Sequence, residues 1–220
     1  MKIFQYSCKE SNKIDTRQAE AVLRKKPDVI FFEAPFDNKD VELFNKFPIN
    51  KKPFGKVKQY QKMLLKVSKK YRWVKSDILV FDNIVKLWKS GHDVKLYNVD
   101  GPSGLLKITI DNGWNRLDLP KRRGVHFGWW VYIYLREKVM SDNISKIIKK
   151  LPDDTVVLVF LQKFHWLNVK YQLQNKNKKD IFKYYFGKFK GVSISNINKT
   201  VDERCPKKLI KFWNKYSKLI

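Results

Sequence analysis

Cysteine is scarce in this chain of 220 residues: Cys8 and Cys205 are the only two. That excludes a disulfide-built scaffold, and in a reducing compartment both are expected to be thiols. Long apolar runs are also missing. A bilayer span needs about 20 consecutive apolar residues, whereas the greasiest stretch, Val125 to Leu135, is shorter and interrupted by Gly128. Lys2 to Ser7 is too brief for a signal peptide and looks like a strand. A cytoplasmic protein without a membrane span is therefore the expectation. Acid is in short supply, with 21 Asp and Glu against 47 Lys and Arg and a formal charge of +26. Arginine is scarce within that excess, 8 residues against 39 lysines. Dedicated readers of nucleic acid lean on Arg, whose planar fork fits phosphate and guanine. A lysine excess accompanied by many Asn and Ile is equally a mark of compositional bias, so both readings of the charge stay open.

What is present argues for a packed fold. Hydrophobic residues make up 43% of the chain, with seven Trp and fifteen Phe, which excludes a disordered polycation. The length suits a single domain spanning residues 1–220. Lys2 to Ser7 reads as a strand and Thr16 to Lys26 as a helix stopped by Pro27. Asp28-Val29-Ile30-Phe31-Phe32-Glu33 is a continuous apolar run ending in an acid, the pattern of a strand buried on both faces. Val57, Tyr60, Met63, Leu64, Val67 and Tyr71 recur at helical spacing. A second helix follows Ser76, read as its N-cap, and closes at Gly91. Val94 to Val99 is the next strand, and Leu106 to Ile110 a short one. Trp129 to Lys150 is expected to form one long helix, and Thr155 to Leu161 the clearest buried strand. Asn168 to Lys179 is polar and reads as loop or fraying helix; Val192 to Ile194 reads as a strand, and Pro206 opens a terminal helix. The alternation predicts an α/β fold: a mostly parallel central sheet flanked by helices, with a basic helical insert over about 43–76 and a basic C-terminal extension over about 168–220.

Ligands of parallel sheets sit outside the carboxyl ends of the strands. Cys8, Glu33, Asp100 and His165 each follow a predicted strand, so one sheet edge is expected to gather a thiol, two acids and an imidazole. Such a set suits metal or acid–base chemistry. Each residue also has a plainer reading. Glu33 caps a helix or pairs with Arg136, Asp100 shapes the Asp-Gly-Pro turn, Cys8 is a small buried hydrophobe, and His165 is a packed core histidine. His92 reads as a surface residue at a helix end.

Four segments resemble a known superfamily, the TraB/PrgY, TIKI and ChaN group that includes the erythromycin esterases. The stretch from Arg17 through Pro27-Asp28-Val29 to Glu33 is similar to its "helix, Pro-Asp-Val, apolar run, Glu" segment. Ile84 to Asp100, with Gly91 and Val94, resembles its "helix, Gly, strand, Asp" element. Leu135-Arg136-Glu137-Lys138-Val139-Met140 followed by Ile144 resembles its Arg-containing helix, and Val156 to His165 its late strand leading into Gly-x-x-His. The pieces keep the family order over about 150 of the 220 residues. Where relatives carry Gly-x-x-His twice, this chain has Gln5-Tyr6-Ser7-Cys8 and Gln162-Lys163-Phe164-His165. The resemblance implies a hydrolase in which Glu33, His165, Arg136 and Asp100 do the chemistry. It also implies one divalent ion, zinc or manganese, held by Glu33 and His165 with Cys8 as a soft third ligand that favours zinc. The lost glycines equally suit a family member that has kept the scaffold and lost the chemistry.

A different class of function rests on local charge. Residues 43–76 hold eleven Lys and Arg and no acid, and residues 162–220 hold fifteen against three acids. Together these blocks carry 23 of the 26 net charges. Aromatics are interleaved in both, including Tyr60, Tyr71, Tyr184 and Tyr185, a mixture that suits phosphate contact and base stacking. A nucleic-acid or other polyanion partner is therefore expected at Lys58, Lys62, Lys66, Lys69, Lys70 and Arg72. The plainer reading is a core stripe of aromatics with a solvated lysine face opposite.

Overall fold

The computed structural model describes residues 1–6, 16–33, 44–68, 74–100, 121–122, 125–175 and 177–187, and the single positions 193, 195, 207, 210, 211 and 214. They fall into two compact units: Met1–Val99 with Ile147–Trp166, and Asp100–Lys146 with Leu167–Ile220.

The first unit is built on a four-stranded parallel sheet. Its strands are β1 (Lys2–Gln5), β2 (Val29–Phe32), β3 (Lys95–Asn98) and β6 (Val156–Phe160), in the spatial order β1-β6-β2-β3. The two inner strands are the two continuous apolar runs. β2 is buried at all four residues and β6 at its last four, because each has neighbours on both sides and cover on both faces. β1 and β3, at the edges, are only partly covered. The register Ile30↔Leu158 and Ile30↔Leu96 aligns three buried aliphatics in one row.

Asp28 sets that register at the amino ends of the strands. Its amide donates to the Val156 carbonyl, its Oδ2 accepts from the Val156 amide at 2.7 Å, and its carbonyl accepts from the Lys95 amide at 2.8 Å. One residue thus ties β2 to both neighbours.

Helix α1 (Arg17–Lys25) ends where Lys26 turns left-handed, at φ +45°, ahead of Pro27. Its small buried residues Ala19 and Ala21 face the core shared with α3 (Val74–Lys89), and Asn83 of α3 donates to the Ala19 carbonyl. The core beneath is aromatic: Phe44, Phe81 and Trp88 pack ring to ring, and the Trp88 indole N–H donates to Val94. α3 starts two residues before Ser76, so Ser76 is not its N-cap but lies buried within the first turn. Gly91 closes the helix as expected. At φ +89° it lets His92 reach back to the Leu87 carbonyl and Gly91 itself to Trp88, the paired bonds of a Schellman ending. His92 is not a free surface residue. Its Nε2 lies 2.9 Å from the Pro27 carbonyl, which only accepts, so Nε2 carries the proton.

Between β2 and α3 the chain forms a 3-10 turn over Ile49–Lys51 and helix α2 (Phe54–Ser68). Val57 is buried and Lys58, Lys62 and Lys66 are exposed, as the helical pattern anticipates. Lys52 departs from its charge. It is buried, its Nζ donating to the Phe44 and Phe47 carbonyls, lying 3.0 Å from Asp93 Oδ1 and sitting over the Trp88 ring.

In the second unit, β4 (Lys121–Arg122) and β5 (Val125–His126) form a short antiparallel pair. α4 (Phe127–Ile148) begins two residues earlier than expected. Its Tyr134 packs edge-on against Tyr185 and Phe186 of α6 (Lys178–Phe186). Of the stretch read as loop or fraying helix, Asn168 to Gln174 lies in α5 (Lys163–Gln174), and Asn177 caps α6 by accepting from the Lys179 amide. The terminal helix falls largely outside the described residues; positions 207, 210, 211 and 214 are helical. The expected strands at 106–110 and 192–194 also lie outside, apart from Ser193, which is not in a strand. Among the described residues no helix is long and apolar enough to cross a membrane.

Candidate functional site

Because the strands are parallel, the residues that follow them emerge on one edge of the sheet. Tyr6, Glu33 and Val99 each extend the ladder by one bond, to the carbonyls of Val159, Phe160 and Phe32. This edge is where the strand-end rule places a ligand.

Two of the expected residues meet there, from the adjacent inner strands β2 and β6. Glu33 Oε1 lies 3.5 Å from His165 Nε2, and the histidine is only 3% exposed. Glu33 Oε2 accepts from the Gln162 amide at 2.9 Å, just ahead of α5. The positive end of that helix therefore favours the carboxylate. The geometry joins the two readings of Glu33: it caps the start of α5 and it faces the imidazole. His165 sits in the first turn of α5, where Trp166 bonds back to the Gln162 carbonyl and Phe164 packs edge-on against the imidazole.

Gln5, at the end of β1, occupies the same edge. Gln5 Nε2 donates to the Leu161 carbonyl at 3.2 Å, bridging β1 to the turn after β6. Gln18 of α1 donates to the Tyr6 carbonyl at 2.6 Å, and Arg24 to the Tyr6 hydroxyl. Side-chain amides thus bond carbonyls at the ends of β1 and β6.

Asp100 and Arg136 meet in the second unit. Nε and Nη2 of Arg136 each donate to one Asp100 oxygen at 2.7 Å, a bidentate fork that fixes both groups. Asp100 is therefore an ion-pair partner as well as the residue opening the Asp-Gly-Pro sequence. The neighbouring Glu137 is fully buried and was not singled out for a role. Its oxygens accept from Asn168 at 2.9 Å and from the Tyr185 hydroxyl at 2.5 Å, while Gln172 donates to that hydroxyl. Burial, reinforced by the Glu137 charge, pushes the Tyr185 phenol well above its ordinary range. Tyr185 is thus a core residue and not the exposed stacking ring anticipated from the basic block. Glu137 lies at helical spacing between buried Ile133, Met140 and Ile144, inside the apolar stripe of α4.

Cys8 lies outside the described residues, as do Lys69, Lys70 and Arg72. Among the described residues no three His, Cys, Asp or Glu side chains gather to hold a metal ion. Glu33 and His165 supply two donors, one short of the three protein ligands of a catalytic zinc site. The pair fits acid–base chemistry as it stands. Comparison with protein-family models, with curated proteins and with solved structures gave no match.

Proposed function

We propose that the chain is a hydrolase, a divergent relative of the TraB, TIKI and ChaN group, whose general base is His165 oriented by Glu33. The supporting observation is the Glu33–His165 contact at the carboxyl ends of two neighbouring parallel strands. A carboxylate facing Nε2 favours the tautomer with its proton on that nitrogen, leaving the Nδ1 lone pair as the base. Nδ1 takes a proton from water as the water oxygen attacks an ester carbonyl. The same proton then passes to the departing alkoxide, so the products are an acid and an alcohol and His165 ends neutral. No step is routed through a metal ion; chelation of the purified protein tests the zinc or manganese alternative that would recruit Cys8.

The test is hydrolysis of an ester, peptide and phosphoester panel by the full chain. His165→Ala is expected to lower turnover by about 100-fold or more on the preferred substrate, the usual weight of a positioned base. Glu33→Gln should retain part of that rate with an altered pH profile. Equal rates for wild type and His165→Ala across the panel would sink the reading.

A second reading is a scaffold that has lost its chemistry. It is favoured by the Gln5 side chain bonded across the strand ends and by the burial of His165. In that case Gln5→Gly yields no activity, and His165→Ala changes stability alone.

A further inference from the structure

Helices α5 and α6 carry, within the second unit, a surface that the proposed hydrolase does not use. Tyr171 of α5 and Tyr184 of α6 stack nearly parallel, with ring centroids 4.1 Å apart and planes inclined by 15°. The Tyr184 hydroxyl donates to Asn168 Oδ1 at 2.7 Å. Tyr184 is nevertheless 42% exposed, and Leu167, one turn before Tyr171, is 53% exposed. Lys170, Lys179 and Lys183 are exposed on the same two helices, where Asp180 is the one acid in the sequence. Large apolar and aromatic groups held rigid in water beside cations are the parts of a binding surface.

We propose that this face binds single-stranded nucleic acid. A base extends the Tyr171–Tyr184 stack, Leu167 packs against its edge, and Lys170, Lys179 and Lys183 neutralise flanking phosphates. The ring stack selects among polyanions. A duplex hides its base faces and a base-free polyphosphate has none, so neither uses the aromatic pair. The charge selects among partners for an exposed aromatic patch, since its cations complement a chain of phosphates.

The experiment is fluorescence anisotropy of a fluorescein-labelled oligodeoxyadenosine of about 12 nucleotides, within the usual site size of one binding fold, titrated with the full chain. Affinity should fall linearly with salt on a log–log plot. Tyr171→Ala should weaken binding about tenfold, the lower range for loss of one base stack. Tyr184→Phe should keep both the stack and the affinity. Lys170→Gln with Lys183→Gln should reduce the salt slope. Leu167→Glu changes an exposed residue without disturbing the buried network, and it too should weaken binding. Equal affinity for a duplex or a base-free polyphosphate of matched phosphate number would overturn the proposal. So would tighter binding to anionic vesicles, wild-type affinity in both Tyr171→Ala and Leu167→Glu, or no binding to the oligonucleotide.

Discussion

Asp77 is an acid whose Oδ2 is buried without a hydrogen-bond partner, in the first turn of α3. A helix start favours a carboxylate, yet burial wins and pushes the carboxyl from 3.8 up to about 8. The folded protein therefore holds a proton that the unfolded chain has already released. Stability from this group is complete below the unfolded value and is lost as pH rises toward about 8. Asp77→Asn cannot ionise and should remove that loss. Unfolding free energies from urea titration are expected to match wild type near pH 4 and to exceed it by up to about 5 kcal/mol at pH 8, the linked cost of ionising a carboxyl raised from 3.8 to about 8. Parallel pH profiles for the two proteins would show that Asp77 ionises freely. At this scale the sequence reveals strand ends best. Glu33 and His165 were legible because each follows an apolar run whose length fixes where the chain leaves the sheet. Lys52 and Glu137 were not, because their burial depends on carbonyls and hydroxyls delivered from elsewhere in the chain.

Lys52 acts on whole elements. Its ammonium joins the segment after residue 43 to Asp93 at the start of β3, and Asp93 also binds Lys95 at 2.7 Å. Burial lowers the Lys52 pKa despite the help of Asp93. Burial alone raises the Asp93 carboxyl, but hydrogen bonds from Lys95 and Lys52 outweigh it and hold it below its ordinary value. Lys52→Met keeps the aliphatic stem against Trp88 but strands two carbonyl groups. It should cost about 2 kcal/mol, within the range for buried polar groups left unpaired, measured by denaturant unfolding; an unchanged midpoint would contradict the staple. The same physics explains why the second half of α5 reads as loop or fraying helix. Asn168 and Gln172 are polar, which in a linear reading means surface, yet both are buried, bonded to Glu137 and Tyr185. Local hydropathy cannot register a polar core satisfied from another helix. The parallel sheet, by contrast, was legible because its inner strands are apolar on every face. Gly91 was legible as a helix end because a left-handed turn strongly favours glycine.

Across the molecule, a net charge of +26 on 220 residues works against compaction. Raising sodium chloride from ~0.05 to ~0.5 M shortens the Debye length from about 14 to about 4 Å and should raise Tm by a few degrees, at roughly 2–4 °C per kcal/mol for a chain of this size. A flat or falling Tm would mean that attractive ion pairs, screened by the same salt, balance the repulsion. The strand order carries a different consequence, for synthesis on the ribosome. β6 lies between β1 and β2, and Lys2 pairs with Val156. The nascent chain can close β2 onto β3 early, with α1 and α3 packed beside them. β1 and the inner edge of β2 must then wait, unpaired, until residues 156–160 leave the exit tunnel. During that interval the apolar edge Val29–Phe32 is open to wrong partners. β6, the last of the described sheet strands to be made, thus acts as a keystone, and a nascent chain truncated before residue 156 should be the form that chaperones hold.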